Sequence, residues 1–325
     1  MRVLVTGGTG FVGSHIVERL LDNGASVIVA KRETSNLRWL PVERVELIDA
    51  PIDSPEPLRD VLPEIDAVVH AAAITKARRL EDFHKINAES TRRLLELCCE
   101  HCPEIKRFVF VSSQAASCPG CDEDGVCENT PEQPISAYGK SKLVAECIVK
   151  EYADKLPVTI LRPPTVYGPR DTDLYIYFRL VNKGFLPFAG DPDRQFSAVY
   201  VKDVASLISR LIRNPHQSGR TFFITDGEVH TWRSFGETIA VALGKNPRKL
   251  RLPTWALWPT AAIAESLARV RGKPATLSFQ KVREMVCNWV CDDSLVRKEI
   301  GYESEYGLER GIEETANWYR EMGWL

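Results

Sequence analysis

The 325-residue chain has no excess of either charge: 42 Lys and Arg stand against 44 Asp and Glu, for a formal net charge of -2. No basic run exceeds a few residues, so no long-range field gathers nucleic acid, and a small-molecule partner is expected. Long apolar runs are also missing. The longest, 255–264, is broken by Pro259 and followed by Glu265, well short of the roughly 20 residues of a spanning helix. No charged leader precedes the first apolar segment, MRVLVTGG, so the expected location is cytoplasmic. No internal repeat or low-complexity linker divides the sequence. Its 44% apolar content excludes a disordered chain, and the length suits one large domain with a smaller one.

A complete metal-ligand set is absent as well. The nine cysteines fall as Cys98, Cys99 and Cys102, then Cys118, Cys121 and Cys127, then Cys147, Cys287 and Cys291; in the cytoplasm they are expected to be reduced. Cys118-x-x-Cys121 with Cys127, and Cys98-Cys99 with His101 and Cys102, come nearest to a zinc pattern, but neither reaches four ligands at familiar spacing. The first group ends a helix at the bottom of the sheet read below, and the second follows a strand climbing to its top. About six residues at roughly 3.3 Å each separate those ends, so the groups cannot share an ion. No metal is expected.

What the sequence does have is alternation. Short Val- and Ile-rich segments at 3–6, 27–30, 45–48, 67–70, 108–111 and 158–161 read as buried strands. Between them 12–23, 55–62, 80–101 and 136–155 carry apolar residues at three- and four-residue spacing, as in Ile16, Leu20 and Leu21. This predicts an α/β fold with a doubly wound parallel sheet covered on both faces. Past about Pro163 prolines and aromatics become denser and strands such as 222–225 occasional. The sheet domain is therefore expected over 1–165. A smaller, mostly helical substrate lobe is expected over 166–325, interleaved with the main sheet near 195–225, where strands such as 199–201 would return to it.

The first strand runs into Thr6-Gly7-Gly8-Thr9-Gly10-Phe11-Val12-Gly13 before a helix. Glycines let the backbone turn tightly against a pyrophosphate, and a helix N-terminus offers free N–H groups with partial positive charge. The stretch fits both Gly8-x-Gly10-x-x-Gly13 and Gly7-x-x-Gly10-x-x-Gly13 in the required strand-turn-helix context. It predicts a Rossmann-type NAD(P) site with Gly7, Gly10, Phe11, Val12 and Gly13 at the phosphates. A tight turn that holds nothing leaves the regular glycine spacing unexplained. At the end of the second strand a carboxylate would accept hydrogen bonds from the ribose of NAD, whereas the 2′-phosphate of NADP needs cations. Lys31 and Arg32, then Ser35, stand there and favour NADP over NAD; solvated surface cations are the plain alternative.

Tyr138-Gly139-Lys140-Ser141-Lys142 opens a helix, so Tyr138 and Lys142 share one face about 6 Å apart along the axis. A phenol with a pKa near 10 is a poor acid-base catalyst at neutral pH; a neighbouring ammonium is expected to lower it. Ser112 and Ser113 end the fifth strand at the same edge as the glycine turn, Ser113 standing 25 positions before Tyr138. A hydroxyl there can donate to a substrate oxygen. Tyr-x-x-x-Lys alone is common and mostly structural; its place after the fifth strand of a glycine-turn sheet makes the combination specific.

On these residues the chain resembles the extended short-chain dehydrogenases/reductases of the NAD-dependent epimerase/dehydratase type. The matching segments are VLVTGGTGFVGSHI, VVHAAA (68–73), HKINAESTRRLL around Asn87, FVFVSS, AYGKSKLVAE, LRPPTVYGPRD (161–171), VYVKDVA (199–205) and the closing ETANWYREMGWL. The resemblance implies that Ser113 positions the substrate oxygen, with Ser112 as its alternative, and that Tyr138 exchanges the proton. It implies further that Lys142 also holds the nicotinamide ribose, Ala71 and Ala72 line the cofactor, Pro163 abuts the nicotinamide, and Tyr167 and Phe196 meet the substrate. Homodimers would form through helices 80–101 and 136–155.

Two positions depart from the family pattern. Where many members carry an Asp that reads the adenine, Pro51 aligns here, with Asp49 or Asp53 as substitutes. Members acting on nucleotide sugars usually carry an Arg four positions before the residue at Tyr200; here it is Phe196, which replaces a bidentate phosphate ligand with apolar surface. Arg194 is the nearby cation. The segment 252–268, with Trp255, Leu257, Trp258 and Ile263, is expected as an apolar lid, as in the branch resembling dihydroflavonol reductases and hydroxysteroid dehydrogenases, or else as a core or dimer-contact helix. Membrane-surface attachment is disfavoured because no basic face accompanies the apolar one. The expected function is reversible NAD(P)-linked reduction of a carbonyl on a small, largely apolar alicyclic substrate. The alternatives are a nucleotide-sugar epimerase or dehydratase with tightly bound NAD, and a non-catalytic NAD(P) redox sensor.

Overall fold

Strands made of Val, Ile and Phe on both faces need helices on both sides, and the first half of the chain supplies them. The computed structural model describes all residues except 121–124, 272–274 and 276. In order come β1 (Arg2–Thr6), α1 (Phe11–Asp22), β2 (Ser26–Lys31), β3 (Val45–Asp49), β4 (Ala67–His70), α2 (Leu80–His84), α3 (Ser90–His101), β5 (Arg107–Val111), α4 (Ala137–Glu151) and β6 (Val158–Arg162). The second half adds β7 (Thr165–Tyr167), α5 (Tyr175–Asn182), β8 (Phe185–Ala189), β9 (Gln195–Tyr200), α6 (Val201–Leu211), β10 (Arg220–Phe223), β11 (Val229–Thr231) and α7 (Trp232–Leu243). It ends with β12 (Arg248–Leu252), α8 (Thr254–Arg271), α9 (Phe279–Met285), α10 (Ser294–Ile300) and α11 (Leu308–Glu321).

Seven strands form one parallel sheet in the order β3-β2-β1-β4-β5-β6-β10. Successive side chains leave opposite faces: Val3 and Val5 join Ile16 and Leu20 of α1 and Leu207 and Ile208 of α6 in one core, while Leu4 joins Leu94 and Leu95 of α3 and Ile148 and Val149 of α4 in the other. Each such side chain stabilises the fold by roughly 1.5–3 kcal/mol on burial, which makes the sheet edge a rigid platform for the site.

Three expectations are corrected. The segment 55–62 forms only short 3-10 turns, Glu56–Leu58 and Leu62–Glu64, because Pro55, Pro57 and Pro63 remove the N–H groups an α-helix needs. The helix expected over 80–101 is interrupted by a π-turn at Lys85–Glu89. Residues 199–201 do not rejoin the main sheet: β9 pairs with β7 and β11 in a separate three-stranded sheet, and β10 returns instead, parallel to β6. The three-stranded sheet backs an aromatic core of Tyr167, Phe178, Phe196, Tyr200, Phe235 and Tyr319. Strands β8 and β12 form a third, two-stranded parallel sheet.

Candidate active site

Strand β1 is hydrogen-bonded to both β2 and β4, so the strand order reverses direction between β1 and β4 and a crevice opens at their C-terminal ends. Gly7 sits there at φ +73°, where a Cβ would lie 2.6 Å from the Ala72 nitrogen, and a Cβ on Gly13 would lie 2.1 Å from the Gly7 carbonyl oxygen. These two glycines let the turn, the exit of β4 and α1 close on one another. On Gly10 a Cβ would meet only the Gly7 oxygen, at 3.3 Å, so that side of the loop is open, while Gly8 packs on Val29 and Val17. Both glycine spacings thus keep a steric reason, with Gly7, Gly8 and Gly13 each in a close approach and Gly10 on the open side. Helix α1 has Gly10 as N-cap, no capping side chain and no acid in its first turn. The N–H groups at Phe11 and Val12 are thus free to meet an anion, a cradle that fits a dinucleotide diphosphate.

The floor of the crevice is pinned by groups that sequence reading passed over. Thr6 Oγ1 lies 2.7 Å from His70 Nδ1, His70 Nε2 lies 3.0 Å from Thr91 Oγ1, and the Ala72 N–H donates to Thr6 Oγ1 at 3.3 Å. Burial pushes His70 down to about 3, so the neutral ring acts as a hydrogen-bonded spacer that holds Ala71 and Ala72 against Gly7. Asn87, inside the π-turn, accepts from the Ile74 N–H at 2.8 Å and donates to Ser141 Oγ at 3.0 Å, joining the loop after β4 to α4.

At the far end of the crevice Lys31 pairs in register with Asp49 and their side chains form an ion pair. That leaves Arg32 as the exposed cation of the two, its N–H donating to Ser35 Oγ at 3.1 Å. Asp49 is engaged by Lys31, and Asp53 is exposed.

The trio expected to be catalytic, Ser113, Tyr138 and Lys142, converges on the β5 edge. Ser113 caps the single turn Gln114–Ala116, its Oγ accepting from the Ala115 N–H at 3.2 Å, and the Gln114 N–H donates to the Pro163 carbonyl at 2.8 Å, which sets Pro163 beside the serine. Ser136 caps α4 by accepting from Gly139 N–H at 3.1 Å. A Cβ on Gly139 would lie 2.1 Å from the Ala115 oxygen, so α4 seats directly on the serine turn. There the Tyr138 and Ser113 side chains hydrogen-bond. Lys142 is enclosed; its Nζ donates to the Val111 carbonyl at 2.8 Å and lies 4.0 Å from the Phe110 ring centroid.

Burial pushes the Tyr138 phenol up to about 12, with Ser113 pulling down and Glu284 adding to the rise. Burial likewise pushes Lys142 down to about 7, opposed by the Glu146 carboxylate. The expected lowering of the phenol is reversed in the protein alone, because the cost of desolvating a phenolate outweighs the pull of the Ser113 hydrogen bond, and Nζ is turned to the Val111 carbonyl. Ser112 is set apart from its neighbour: its Oγ donates to buried Glu146, which also takes the Arg162 guanidinium through both oxygens, 2.6 Å at the shortest. This ion pair, invisible as a pair in the sequence, ties α4 to β6 directly beneath the trio.

The cover over the trio comes from α9. The Ala137 N–H donates to Gln280 Oε1 at 2.7 Å, and the α9 residue Val282 packs into a small apolar core with Leu257 and Ala261 of α8, joined by Trp258 and Leu277. Leu257 and Trp258 serve this cover, whereas Trp255 and Ile263 are 74% and 62% exposed and point outward.

Two expected substrate contacts are corrected. Tyr167 and Phe196 are 0% and 2% exposed, inside the aromatic core of the small lobe. Phe196 stacks on Trp232 at 4.4 Å, and the Tyr167 hydroxyl lies so close to Gly311 that a Cβ there would be 2.5 Å away. Neither offers surface to a substrate. Arg194 donates to the Met285 carbonyl at 3.2 Å, bracing the end of α9. Among the described residues no group of three or more His, Cys, Asp or Glu is placed to hold a metal ion. Cys98 and Cys102 hydrogen-bond at the end of α3, Cys118 packs with Val126, Phe223 and Cys291, and Cys121 lies outside the described residues.

Comparison with known proteins agrees with this geometry. Residues 3–224 match the NAD dependent epimerase/dehydratase family. A ceramide reductase of Caulobacter vibrioides is 28% identical over 326 residues, covering 99% of this chain and 96% of that one. A decarboxylating sterol-4-alpha-carboxylate 3-dehydrogenase of Dictyostelium discoideum is 26% identical over 327 residues, covering 96% and 99%. The structure of Thermus thermophilus UDP-glucose 4-epimerase in complex with NAD superposes with a TM-score of 0.78 at 26% identity, covering 98% and 99%. With the glycine turn at the switch of a parallel sheet and that family pattern over two thirds of its length, the chain belongs to the NAD-dependent epimerase/dehydratase family and is an NAD(P)-dependent oxidoreductase of the extended short-chain dehydrogenase/reductase type.

Proposed function

We propose that the enzyme reversibly reduces a carbonyl on a small, largely apolar alicyclic molecule, using NADPH, with Tyr138 as acid and base. The observation that carries this reading is the Tyr138 phenol hydrogen-bonded to the Ser113 hydroxyl, under a cover whose packed side is apolar. The dinucleotide, when bound, supplies a hydride to the carbonyl carbon. Tyr138 gives its proton to the oxygen as negative charge develops there, and Ser113 donates a hydrogen bond to the same oxygen. Lys142 lies beneath the pair, its Nζ donating to the Val111 carbonyl. Exposed Arg32 supports NADPH over NADH, and the absence of an anchoring Arg at position 196 supports a substrate without a diphosphate. Full-length relatives named for ceramide and sterol chemistry support a largely apolar substrate, and the sterol relative an alicyclic one. A cytoplasmic homodimer through α2–α3 and α4 belongs to the same proposal, supported by exposed Leu80 and Val144 on those helices.

The test is turnover of purified protein with NADPH and NADH on a panel of alicyclic ketones and alcohols. Replacing Tyr138→Phe should lower kcat by about 10²–10⁴ and leave NADPH affinity unchanged. Full activity in that variant overturns the assignment. So does a protein that keeps NAD through purification and interconverts nucleotide sugars with no net cofactor consumption.

A further inference from the structure

We propose that the outer face of α8 and of the β8–β12 sheet docks on an anionic bilayer surface. In the parallel ladder Phe185 lies opposite Arg248, Pro187 opposite Leu250, and Ala189 opposite Leu252, and residues paired this way point to the same side. Leu186 and Phe188 face inward at 0% and 3% exposure, so the other set faces out: Phe185, Leu250 and Leu252 are 42%, 47% and 46% exposed. Ala189 packs on the Leu257 cluster, which makes this sheet face continuous with α8. At about 100° per residue, Trp255, Ile263 and Leu267 fall within an arc of roughly 120°, opposite Leu257 and Ala261. They are 74%, 62% and 50% exposed, and the arc they span between 255 and 267 carries no charged side chain. Glu265 lies on the inner side and accepts from the Phe279 N–H.

A helix face turned to water ordinarily carries charge, and contiguous apolar surface marks an interaction site. Its rim identifies the occupant. Lys183, Lys245 and Arg248 are exposed and gather at the N-terminal end of the two parallel strands, where the Arg248 N–H donates to the Gly184 carbonyl at 2.9 Å. Lys249 is taken by Glu237, and Arg251 donates to the Gly190 carbonyl. An uncharged apolar face with Trp at its border and cations at one end is the pattern of a surface that lies in a lipid interface. The basic group was not readable as a face in the sequence because it comes from the entries to two strands about 60 positions apart. No helix among the described residues is long and apolar enough to cross a membrane, so the contact is superficial. Because α9, which covers Tyr138, packs on the inner side of α8, the docked face lies on the far side of these two helices from the site. Resting on the functional reading above, this names the substrate as a membrane lipid taken from the bilayer.

The experiment is cosedimentation of the full chain with vesicles of phosphatidylcholine alone or mixed with phosphatidylglycerol. Binding to the mixed vesicles, weakened by salt, is expected. Lys183→Gln, Lys245→Gln and Arg248→Gln together should weaken it about a hundredfold, at about fivefold per cation, with reduction of a water-soluble ketone unchanged. Trp255→Ser with Ile263→Ser should weaken it by about tenfold or more. No binding to mixed vesicles, or binding that both variants retain, overturns the proposal. So does a solution dimer that the Trp255→Ser, Ile263→Ser variant dissociates, which gives the face to a second copy. Vesicle binding without carbonyl reduction sinks the functional reading and leaves docking standing; reduction without vesicle binding does the reverse.

Discussion

Lys142→Met should stabilise the protein while abolishing turnover, and the size of the gain follows from the enclosure of its ammonium. Burial takes that group from 10.5 to about 7, and each tenfold change in a proton equilibrium is about 1.4 kcal/mol. Holding the charge in the folded state therefore costs about 5 kcal/mol wherever both states are protonated. Methionine removes that cost but leaves the Val111 carbonyl without its donor, a loss of about 1–3 kcal/mol, so a net gain of about 2–4 kcal/mol remains below pH 7. Between pH 7 and 10.5 the unfolded chain binds the proton that the folded one has released, so wild-type stability rises with pH across this window relative to the variant. Urea unfolding near pH 6 and near pH 9 measures both quantities: the variant's advantage should shrink by about 3 kcal/mol at the higher pH. A variant less stable than wild type near pH 6, or an advantage of the same size at both values, refutes the reasoning.

The cofactor site yields two further expectations. Gly13→Ala places a Cβ 2.1 Å from the Gly7 oxygen; NADPH affinity should fall by about tenfold or more and stability by about 1–3 kcal/mol, read by fluorescence titration and thermal unfolding, and an unchanged dissociation constant would show that the turn does not cradle the diphosphate. Arg32→Glu should weaken NADPH by about tenfold or more while NADH changes by less than about threefold; equal effects on both would move selectivity elsewhere.

How much of this the sequence disclosed depended on the range over which each signal acts. The six expected strands of the first half lie in the main sheet, because burial on both faces of the inner strands writes itself as a near-continuous apolar run; the half-buried edge strand β3 is the exception. The segment 55–62 carried apolar residues at helical spacing, yet its prolines decide the backbone before side-chain pattern can act. The placing of 199–201 failed for another reason: period-two burial marks a strand without naming its neighbours, and Phe196 and Tyr200 were drawn to the aromatics of α5, α7 and α11 rather than to the main sheet.

The same distinction runs through the site. Tyr138 and Lys142 are brought together by one turn of helix and Ser113 by the end of one strand, so local spacing sufficed to bring the three to one edge. Their electrostatics were not legible, since the sign for Tyr138 depends on burial among segments far apart in sequence, with Phe83 beside its ring and Glu284 of α9, about 140 positions downstream, adding to the rise. Nor was the partner of Glu146 readable, which holds Ser112 and Arg162 and thereby frees Ser113 from its neighbour's competition. Phe196 joins both lessons. Its identity argued against a diphosphate anchor and its burial against any direct contact, so the proposed selectivity for an apolar substrate is assigned to the α8–α9 cover. That segment is both the least patterned part of the sequence and the one whose outer face is left bare.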